Sequence, residues 1–258
     1  MYKIFTFVII CGTFKIVGEG MKKILILLFF VFVVTGCNNN DNQIVMVTEA
    51  GFAPYEFYDG DEIVGVDVEI AKEIAKSLGK ELVIKDVYFN SIINELKSGK
   101  ADFAAAGMSI TEDRKKEVDF TIEYVTSNQV VVVKKNSNIK SVDDISDKRI
   151  SVQLGTVADS YVEENLPNAK LNKLKTFLVA AEDVKNNKSD CIIMDKLPAV
   201  ELVKKNPELE ILDEVLFEDK YAIAVKKGNK ELLDSINKVL TELVNNGKID
   251  DYILEFSR

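Results

Sequence analysis

The spacing of hydrophobic residues predicts alternating strands and helices in the chain that follows residue 43. Short apolar runs bounded by turn residues are typical of buried strands, whereas apolar residues at intervals of three and four indicate helices. The first part of this region is predicted to contain strands at 44–47 (IVMV), 81–88 (ELVIKDVY) and 101–109 (ADFAAAGMS), and helices at 68–78 and 91–98. Gly79 stands where the first of these helices would have its capping glycine.

The second part of the region continues this alternation. SVDD at 141–144 fits a loose capping box, Gly155 and Thr156 open a helix, and Pro198 lies in the first turn of another helix. The elements predicted here are strands at 129–135 (QVVVVKK), 149–154 (RISVQL), 191–195 (CIIMD) and 220–227 (KYAIAVKK), a helix at 231–246 and a last short helix that ends at 256.

Strands that alternate with helices predict the α/β class with a largely parallel sheet. We infer two α/β lobes, the first made of 44–130 and 224–258 and the second of 131–223. Two extended segments, near 129–135 and 220–227, are expected to cross between them. No low-complexity linker separates the lobes, so we expect them to move as coupled halves.

Residues 21–37 have the pattern of a signal for export. Lys22 and Lys23 precede an apolar stretch of 11 residues, 24–34. A charged start, a short apolar centre and small residues at the end are typical of secretory signals. The apolar stretch is too short to span a bilayer comfortably.

The end of this segment, VTGC at 34–37, resembles a bacterial lipobox. It predicts that Cys37 becomes the lipidated first residue of an exported protein, held at the extracellular or periplasmic face of the cell membrane. The alternative is an ordinary cysteine near a plain cleavage site. Residues 1–20 are interpreted as an upstream extension from a wrongly chosen start, and 38–43 as a polar tether.

The chain contains no histidine and three cysteines, Cys11, Cys37 and Cys191. Only Cys191 would remain as a free thiol after processing at Cys37, and its apolar surroundings predict a buried side chain. Catalysis by histidine and zinc ligation by histidine or cysteine are therefore excluded. We expect no metal and no cofactor.

The charge balance argues against nucleic acid as a partner. Removing residues 1–36, which carry four lysines and one glutamate, leaves 29 basic and 41 acidic side chains and a net charge of −12. A polyanion would be repelled by such a surface. The mature chain is expected to be an acidic, soluble, monomeric domain.

Ligands of open α/β sheets bind beyond the carboxyl ends of the strands. The residues that are predicted to reach that edge are Glu49, Phe52, Phe89, Gly107, Ser109, Arg114, Gln153, Thr156 and Asp195. Together they supply the groups that a free α-amino acid requires.

A ligand carboxylate would bind the guanidinium of Arg114, the hydroxyl of Ser109, and backbone amides near Gly107 and Thr156. The ligand ammonium would bind Asp195, which belongs to the other lobe. Binding would therefore draw the two lobes together.

Each of these residues also has a structural interpretation. Arg114 could pair with a neighbouring glutamate in solvent, and Asp195, Ser109 and Thr111 could be helix caps. Phe52 and Phe89 could belong to the core, and Gln153 could be a solvated strand end. The joint arrangement at strand ends favours the binding site.

The segments FAPYEF, GVDVEIAKEIAKSLG, GMSITEDRKKEVDF, VQLGT and IIMD follow one another in the chain. In this order they resemble bacterial extracellular solute-binding proteins of family 3, the amino-acid receptors of ABC importers, over about 44–256. The resemblance implies the type II periplasmic binding-protein fold, a membrane permease as partner, and no enzymatic activity. It assigns the ligand carboxylate to Gly107, Ser109, Arg114 and Thr156, and the ammonium to Asp195.

The same resemblance makes Phe52 and Phe89 walls of the pocket and turns Glu49 and Gln153 toward the ligand side chain. Glu49 favours a basic amino acid, and Gln153 suits glutamine or another polar amino acid equally well. Val66 and the pair Ile93–Asn94 depart from the family pattern at positions expected to serve packing. Val157 and Ala158 follow Thr156 where many relatives have polar residues, which weakens the case for further contacts from the second lobe.

Two other classes share this fold, namely exported dehydratases and sensor domains. A dehydratase needs a general acid, for which Glu49 is the uncommitted candidate. We expect Glu49 to lie at the cleft mouth in contact with water, which argues against a raised pKa and against the enzyme.

Overall fold

The computed structural model describes residues 42–257. Predictions for the upstream extension, the signal segment, Cys37 and most of the polar tether fall on residues outside this range. Among the described residues, none of the helices combines the length and the apolarity that crossing a membrane requires.

Eleven strands and eight α-helices lie within 42–257. The strands are β1 (Gln43–Thr48), β2 (Gly51–Phe52), β3 (Glu56–Asp59), β4 (Glu62–Val64), β5 (Glu81–Asp86), β6 (Phe103–Ala104), β7 (Val118–Lys134), β8 (Arg149–Gln153), β9 (Lys170–Leu174), β10 (Cys191–Asp195) and β11 (Leu209–Lys226). The α-helices are α1 (Val66–Ser77), α2 (Ile92–Lys97), α3 (Glu112–Glu117), α4 (Val157–Asn165), α5 (Phe177–Lys185), α6 (Lys196–Lys205), α7 (Lys230–Asn245) and α8 (Lys248–Phe256).

Eight strands form one sheet in the order β5-β1-β6-β11-β7-β10-β8-β9, and β2, β3 and β4 form a small antiparallel sheet. Strands β1, β5 and β6, here called the β1 side, are parallel to one another, as are β8, β9 and β10, here called the β8 side. Each antiparallel pair of the large sheet includes β7 or β11. The α/β class is confirmed, and the predicted parallel sheet describes each side but not the centre.

The two central strands are much longer than predicted. Strand β7 has 17 residues and β11 has 18, and they pair from Val118–Lys226 to Lys134–Leu209. The predicted segments 129–135 and 220–227 cover only one end of each. The rest of β7 and β11 was not predicted, because polar residues on their half-exposed faces interrupt the apolar pattern. These parts of the strands are stabilised by pairing with each other and not by a continuous apolar run. The predicted strand at 101–109 is shorter, because only Phe103 and Ala104 join the ladder.

The helices begin and end close to where the sequence predicts. Helix α1 buries an apolar face that includes Ile70 and Ile74, and Gly79 adopts a positive φ of 65° just beyond its end. Ser141 and Asp144 form the predicted capping box. The thiol of Cys191 is free and fully buried, as predicted. The division into two lobes at the predicted boundaries stays a prediction.

Candidate functional site

One cavity brings together all the residues predicted from the strand ends. The cavity volume is only about 20 Å3, which is room for about one water molecule in this conformation. The predicted residues that line it are Glu49, Phe52, Phe89, Gly107, Ser109, Arg114, Gln153, Thr156 and Asp195. Glu56, Ala106, Val157 and Phe177 also line it and were not predicted.

Arg114 is the one buried residue of the short helix α3 and is 9% exposed. Its Nη1 donates to the carbonyl of Ser109 at 2.6 Å, and its Nη2 donates to the carbonyl of Gly155 at 2.9 Å. The guanidinium carbon lies 5.3 Å from the ring centre of Phe89. A guanidinium has five N–H donors, so these two bonds leave donors for a ligand carboxylate. The alternative of a solvated side chain paired with a neighbouring glutamate is wrong.

The guanidinium keeps its charge in this environment. Burial lowers the pKa of Arg114 to about 10, while Asp219 and Asp195 act in the opposite direction. At neutral pH the side chain is therefore protonated. Thr111 is the residue that caps α3, since its hydroxyl accepts the amide of Arg114 at 3.2 Å.

Gly107 contributes shape and not a free amide. Its N–H donates to Oδ2 of Asp67 at 2.8 Å, so the predicted role as a donor to the ligand is not available in this arrangement. Its φ is +49°, and a Cβ placed there would lie 2.7 Å from Cε1 of Phe52. A residue other than glycine would push this ring into the cavity. The Ser109 hydroxyl donates to Asp219, which must be displaced or shared if Ser109 binds a ligand.

Thr156 occupies the N-cap of α4. Its hydroxyl donates to the carbonyl of Gln153 at 2.8 Å and accepts the amide of Asp159 at 3.4 Å. The first amides of a helix have no partner within the helix. Val157 brings this end of α4 to the cavity wall, although its own side chain is apolar.

Asp195 ends β10 and is 8% exposed. It is at the N-cap position of α6, but its side chain makes no capping bond, so the capping interpretation is wrong. Its Oδ1 accepts the hydroxyl groups of Ser127, at 2.8 Å, and Tyr221. Burial raises the pKa of Asp195 to about 6, and these hydroxyl bonds act against the rise. At neutral pH the group is mainly a carboxylate, as an ammonium partner must be.

Glu49 is not at a wet cleft mouth, contrary to our expectation. It is 7% exposed, and burial raises its pKa from 4.5 to about 7 despite a hydrogen bond from Gln153. Gln153 is 2% exposed and its Nε2 donates to the carbonyl of Lys175 at 3.0 Å, so it is not a solvated strand end. The expectation failed because the two sides meet at this acid, where Gln153 on the β8 side bonds to Glu49 on the β1 side.

Aromatic rings from both sides of the sheet form the apolar walls. Phe52 stacks on Phe177 with ring centres 5.7 Å apart and an angle of 25°. Phe177 opens α5, which follows β9, and the sequence analysis missed both elements. Phe89 is partly exposed and faces Arg114. Phe52 is both a core residue and a cavity wall, so the two interpretations of this residue are compatible.

Glu56 is the third acid of the site and was not predicted from the sequence. It is 1% exposed, lines the cavity and shares a hydrogen bond with Asp67, a fully buried neighbour on α1. A hydrogen bond between two carboxyl groups needs a proton, and burial followed by Asp67 raises the pKa of Glu56 well above 4.5. Asp67 accepts the amide of Gly107 and the hydroxyl of Tyr124, which favour its anion.

The two sides of the sheet touch around the cavity. Besides the Arg114–Gly155 bond and the Phe52–Phe177 stack, Nζ of Lys175 lies 4.4 Å from the ring centre of Tyr88. A Cβ on Gly155 would come within 3.3 Å of Cβ of Asn90. The described conformation is therefore a closed one.

Comparison with known proteins places this site in a family. Residues 44–256 match the pattern of bacterial extracellular solute-binding proteins, family 3. The chain belongs to this family. This solute-binding protein is 36% identical over 245 residues to the arginine-binding extracellular protein ArtP of Bacillus subtilis (strain 168). The aligned residues cover 89% of this chain and 96% of ArtP.

Solved structures agree with this assignment. The amino-acid ABC transporter substrate-binding protein AbpA of Streptococcus pneumoniae, bound to L-arginine, has 32% identity and a TM-score of 0.80 over 84% of this chain and 94% of its own. An ancestral arginine-binding protein bound to glutamine has 39% identity and a TM-score of 0.79 over 83% of this chain and 97% of its own. The predicted type II periplasmic binding-protein fold is confirmed.

Residues 21–38 match the prokaryotic membrane lipoprotein lipid attachment site. This match confirms that the solute-binding protein is an exported lipoprotein held at the membrane. Cys37 as the lipidated residue stays a prediction, as do the roles of the individual cavity residues.

The raised pKa of Glu49 has a consequence for stability. An acid whose pKa is higher in the folded protein than in the unfolded chain loses its stabilising contribution as pH rises from the unfolded to the folded value. We expect this loss between pH 4.5 and about 7. Between these two pH values, the free energy of unfolding measured in urea should fall for both proteins. The fall should be about 1–3 kcal/mol smaller for Glu49→Gln than for the unaltered protein.

Glu62→Gln is the matched control, because Glu62 is exposed on β4. The unfolding free energy of Glu62→Gln should change with pH in the same way as that of the unaltered protein. Identical pH profiles for Glu49→Gln and the unaltered protein would show that Glu49 is solvated in the ligand-free state.

Proposed function

We propose that this solute-binding protein captures a basic L-amino acid, with arginine favoured, for an ABC importer. The observation that carries the proposal is the charge of one closed cavity, whose walls include a single guanidinium and three acids, Glu49, Glu56 and Asp195. The α-carboxylate would bind Arg114 and the first amides of α4. The α-ammonium would bind Asp195, and the cationic side chain would pass between Phe52 and Phe89 to Glu49.

The ligand would bind while the two lobes are apart, since the cavity of the closed form is too small to admit an amino acid. Closure would bring Arg114 to Gly155 and Phe52 to Phe177, and these contacts would add to those made by the ligand. A permease that recognises the closed form would then receive the loaded protein. A monomer is sufficient for this cycle, because both lobes belong to one chain.

Glutamine is the second candidate. The amide of Gln153 faces Glu49, and a ligand amide could be inserted between these two groups. The ancestral arginine-binding protein that was solved with glutamine supports this candidate, since it has 39% identity to the chain.

We further propose that the protein has no catalytic role. Our expectation of a wet, unshifted Glu49 cannot support this view, because Glu49 is buried and half-protonated near pH 7. The support comes instead from its relatives, which are solute-binding proteins. Recovery of the bound amino acid unchanged by mass spectrometry would be expected, and a chemically altered product would contradict the proposal.

Thermal melting against the common L-amino acids tests the ligand class. A ligand at a hundredfold its dissociation constant should stabilise the fold by about 2.7 kcal/mol. Arginine should raise the melting temperature most, followed by other basic amino acids. The protein should first be unfolded and refolded to remove any ligand retained during purification. The absence of a shift with every amino acid would contradict the proposed function.

Replacing Arg114 with alanine should lower the binding free energy of arginine by about 3–5 kcal/mol, because the ligand carboxylate would be buried without its partner. Calorimetry measures this loss. Arg149→Ala is the matched control, since Arg149 pairs with Asp190 away from the cavity and is not among its lining residues. The affinity for arginine should be unchanged in the control. An unchanged affinity in Arg114→Ala would show that Arg114 does not bind the ligand.

Glu49→Gln separates the two ligand candidates. If Glu49 binds a cationic side chain, the substitution should reduce arginine affinity by about 2 kcal/mol or more and leave glutamine affinity within about 0.5 kcal/mol. Titration calorimetry of both ligands with both proteins gives the comparison. Equal losses for arginine and glutamine would contradict a cationic preference set by Glu49.

A further inference from the structure

Glu56 differs from the other acids of the cavity in having no group that would keep it charged. Within the described part of the chain, each charged group that acts strongly on it is another acid, and no donor reaches its Oε2. Asp195, by contrast, accepts two hydroxyl groups, and Glu49 has the amide of Gln153. In the empty cavity Glu56 is therefore the carboxyl group that holds a proton most tightly.

Titratable groups surround Glu56 from several elements. Asp67 on α1 shares its hydrogen bond, and Tyr124 on β7 donates to the same Asp67. The full set that faces Glu56 or its partner is Asp67, Tyr124, Tyr55, Glu49 and Asp195. None of these is a cation, so Glu56 needs a positive charge from elsewhere if it is to ionise.

The charge that each ligand brings decides whether this happens. A neutral amino acid is a zwitterion, whose carboxylate and ammonium are matched by Arg114 and Asp195. A basic amino acid adds one positive charge to a cavity that already excludes water. Two unit charges of opposite sign that meet in such a place interact far more strongly than in solution.

We propose that Glu56 is a further ligand-binding residue, which releases its proton to solvent when a basic amino acid binds and then stands as a carboxylate beside the ligand's cationic side chain, together with Glu49. This inference rests on the proposed function. It follows from the position of Glu56 on the wall of the same cavity and from its lack of any protein cation. With glutamine bound, Glu56 keeps its proton and continues to donate to Asp67.

The step is balanced, because one proton leaves Glu56 for the buffer and one positive charge enters the cavity with the ligand. Proton release is then a signature of ligand charge. It would separate basic from neutral amino acids even where their affinities are similar.

Titration calorimetry in two buffers with different ionisation enthalpies counts the released protons. At pH 8 Glu49, Asp67 and Asp195 are mainly ionised in the empty protein, since burial raises their pKa values only to about 7, 6 and 6. The hydrogen bond between Glu56 and Asp67 needs a proton, and burial raises the pKa of Glu56 well above 4.5, so Glu56 is the acid that we expect to hold this proton. Arginine should release roughly half a proton to one proton per site from the unaltered protein, and glutamine should release almost none.

Glu56→Gln is the deciding variant, because glutamine keeps the shape of a protonated glutamate and can still donate to Asp67 but cannot ionise. Its arginine-linked proton release should fall to nearly zero. The small proton uptake by the ligand's own α-amine, which binds as an ammonium, is the same for both proteins and cancels in the comparison. Its arginine affinity should fall by about tenfold or more, with little change for glutamine. Glu62→Gln on β4 should behave as the unaltered protein does.

The outcomes separate the inference from the proposed function. Equal proton release by arginine in the unaltered protein and in Glu56→Gln would overturn the inference while leaving the proposed function intact. Equal release by arginine and glutamine in the unaltered protein would overturn it as well, and this comparison needs no variant. Absence of binding by every amino acid would overturn both.

Discussion

Burying a carboxyl group is costly unless a cation or several donors accompany it, and this protein buries three around one small cavity. Asp195 has hydroxyl donors, Glu49 has one amide, and Glu56 has only a shared proton with Asp67. One guanidinium, Arg114, is the sole described cation of the cavity wall. The empty, closed cavity is therefore short of positive charge, and a cationic guest is the simplest way to supply it.

The frame that holds these groups is the pair of long antiparallel strands, β7 and β11. They carry three parallel strands on each flank, so the carboxyl ends of both sets meet above the same central pair. The register between them shifts at four places between Ile211 and Ala224, which shows that the ladder is not rigidly regular along its length. A pair of strands with such irregular register can bend and still hold the β1 side and the β8 side in one sheet.

Nine cavity residues could be predicted from the sequence because apolar runs such as CIIMD mark buried strands plainly. Phe177 could not, because β9 reads KLNKL and its charged residues obscure a half-exposed edge strand together with the helix that follows it. Glu56 could not be predicted for another reason. This residue lies in a three-stranded sheet whose position against α1 depends on tertiary contacts, and periodicity in the sequence does not contain that information.

The wrong expectation for Glu49 has the same origin and a functional meaning. Its position after β1 predicts a solvated acid, but the structure buries it, and Gln153 from the β8 side bonds to it. In the proposed cycle, the pKa of Glu49 therefore depends on closure, since separating the two sides would return the group to water. Closure without a ligand must either hold a proton on this acid or bury its charge, and both cost free energy at neutral pH. A basic amino acid removes that cost, so the same residue couples the charge of the ligand to the stability of the closed form.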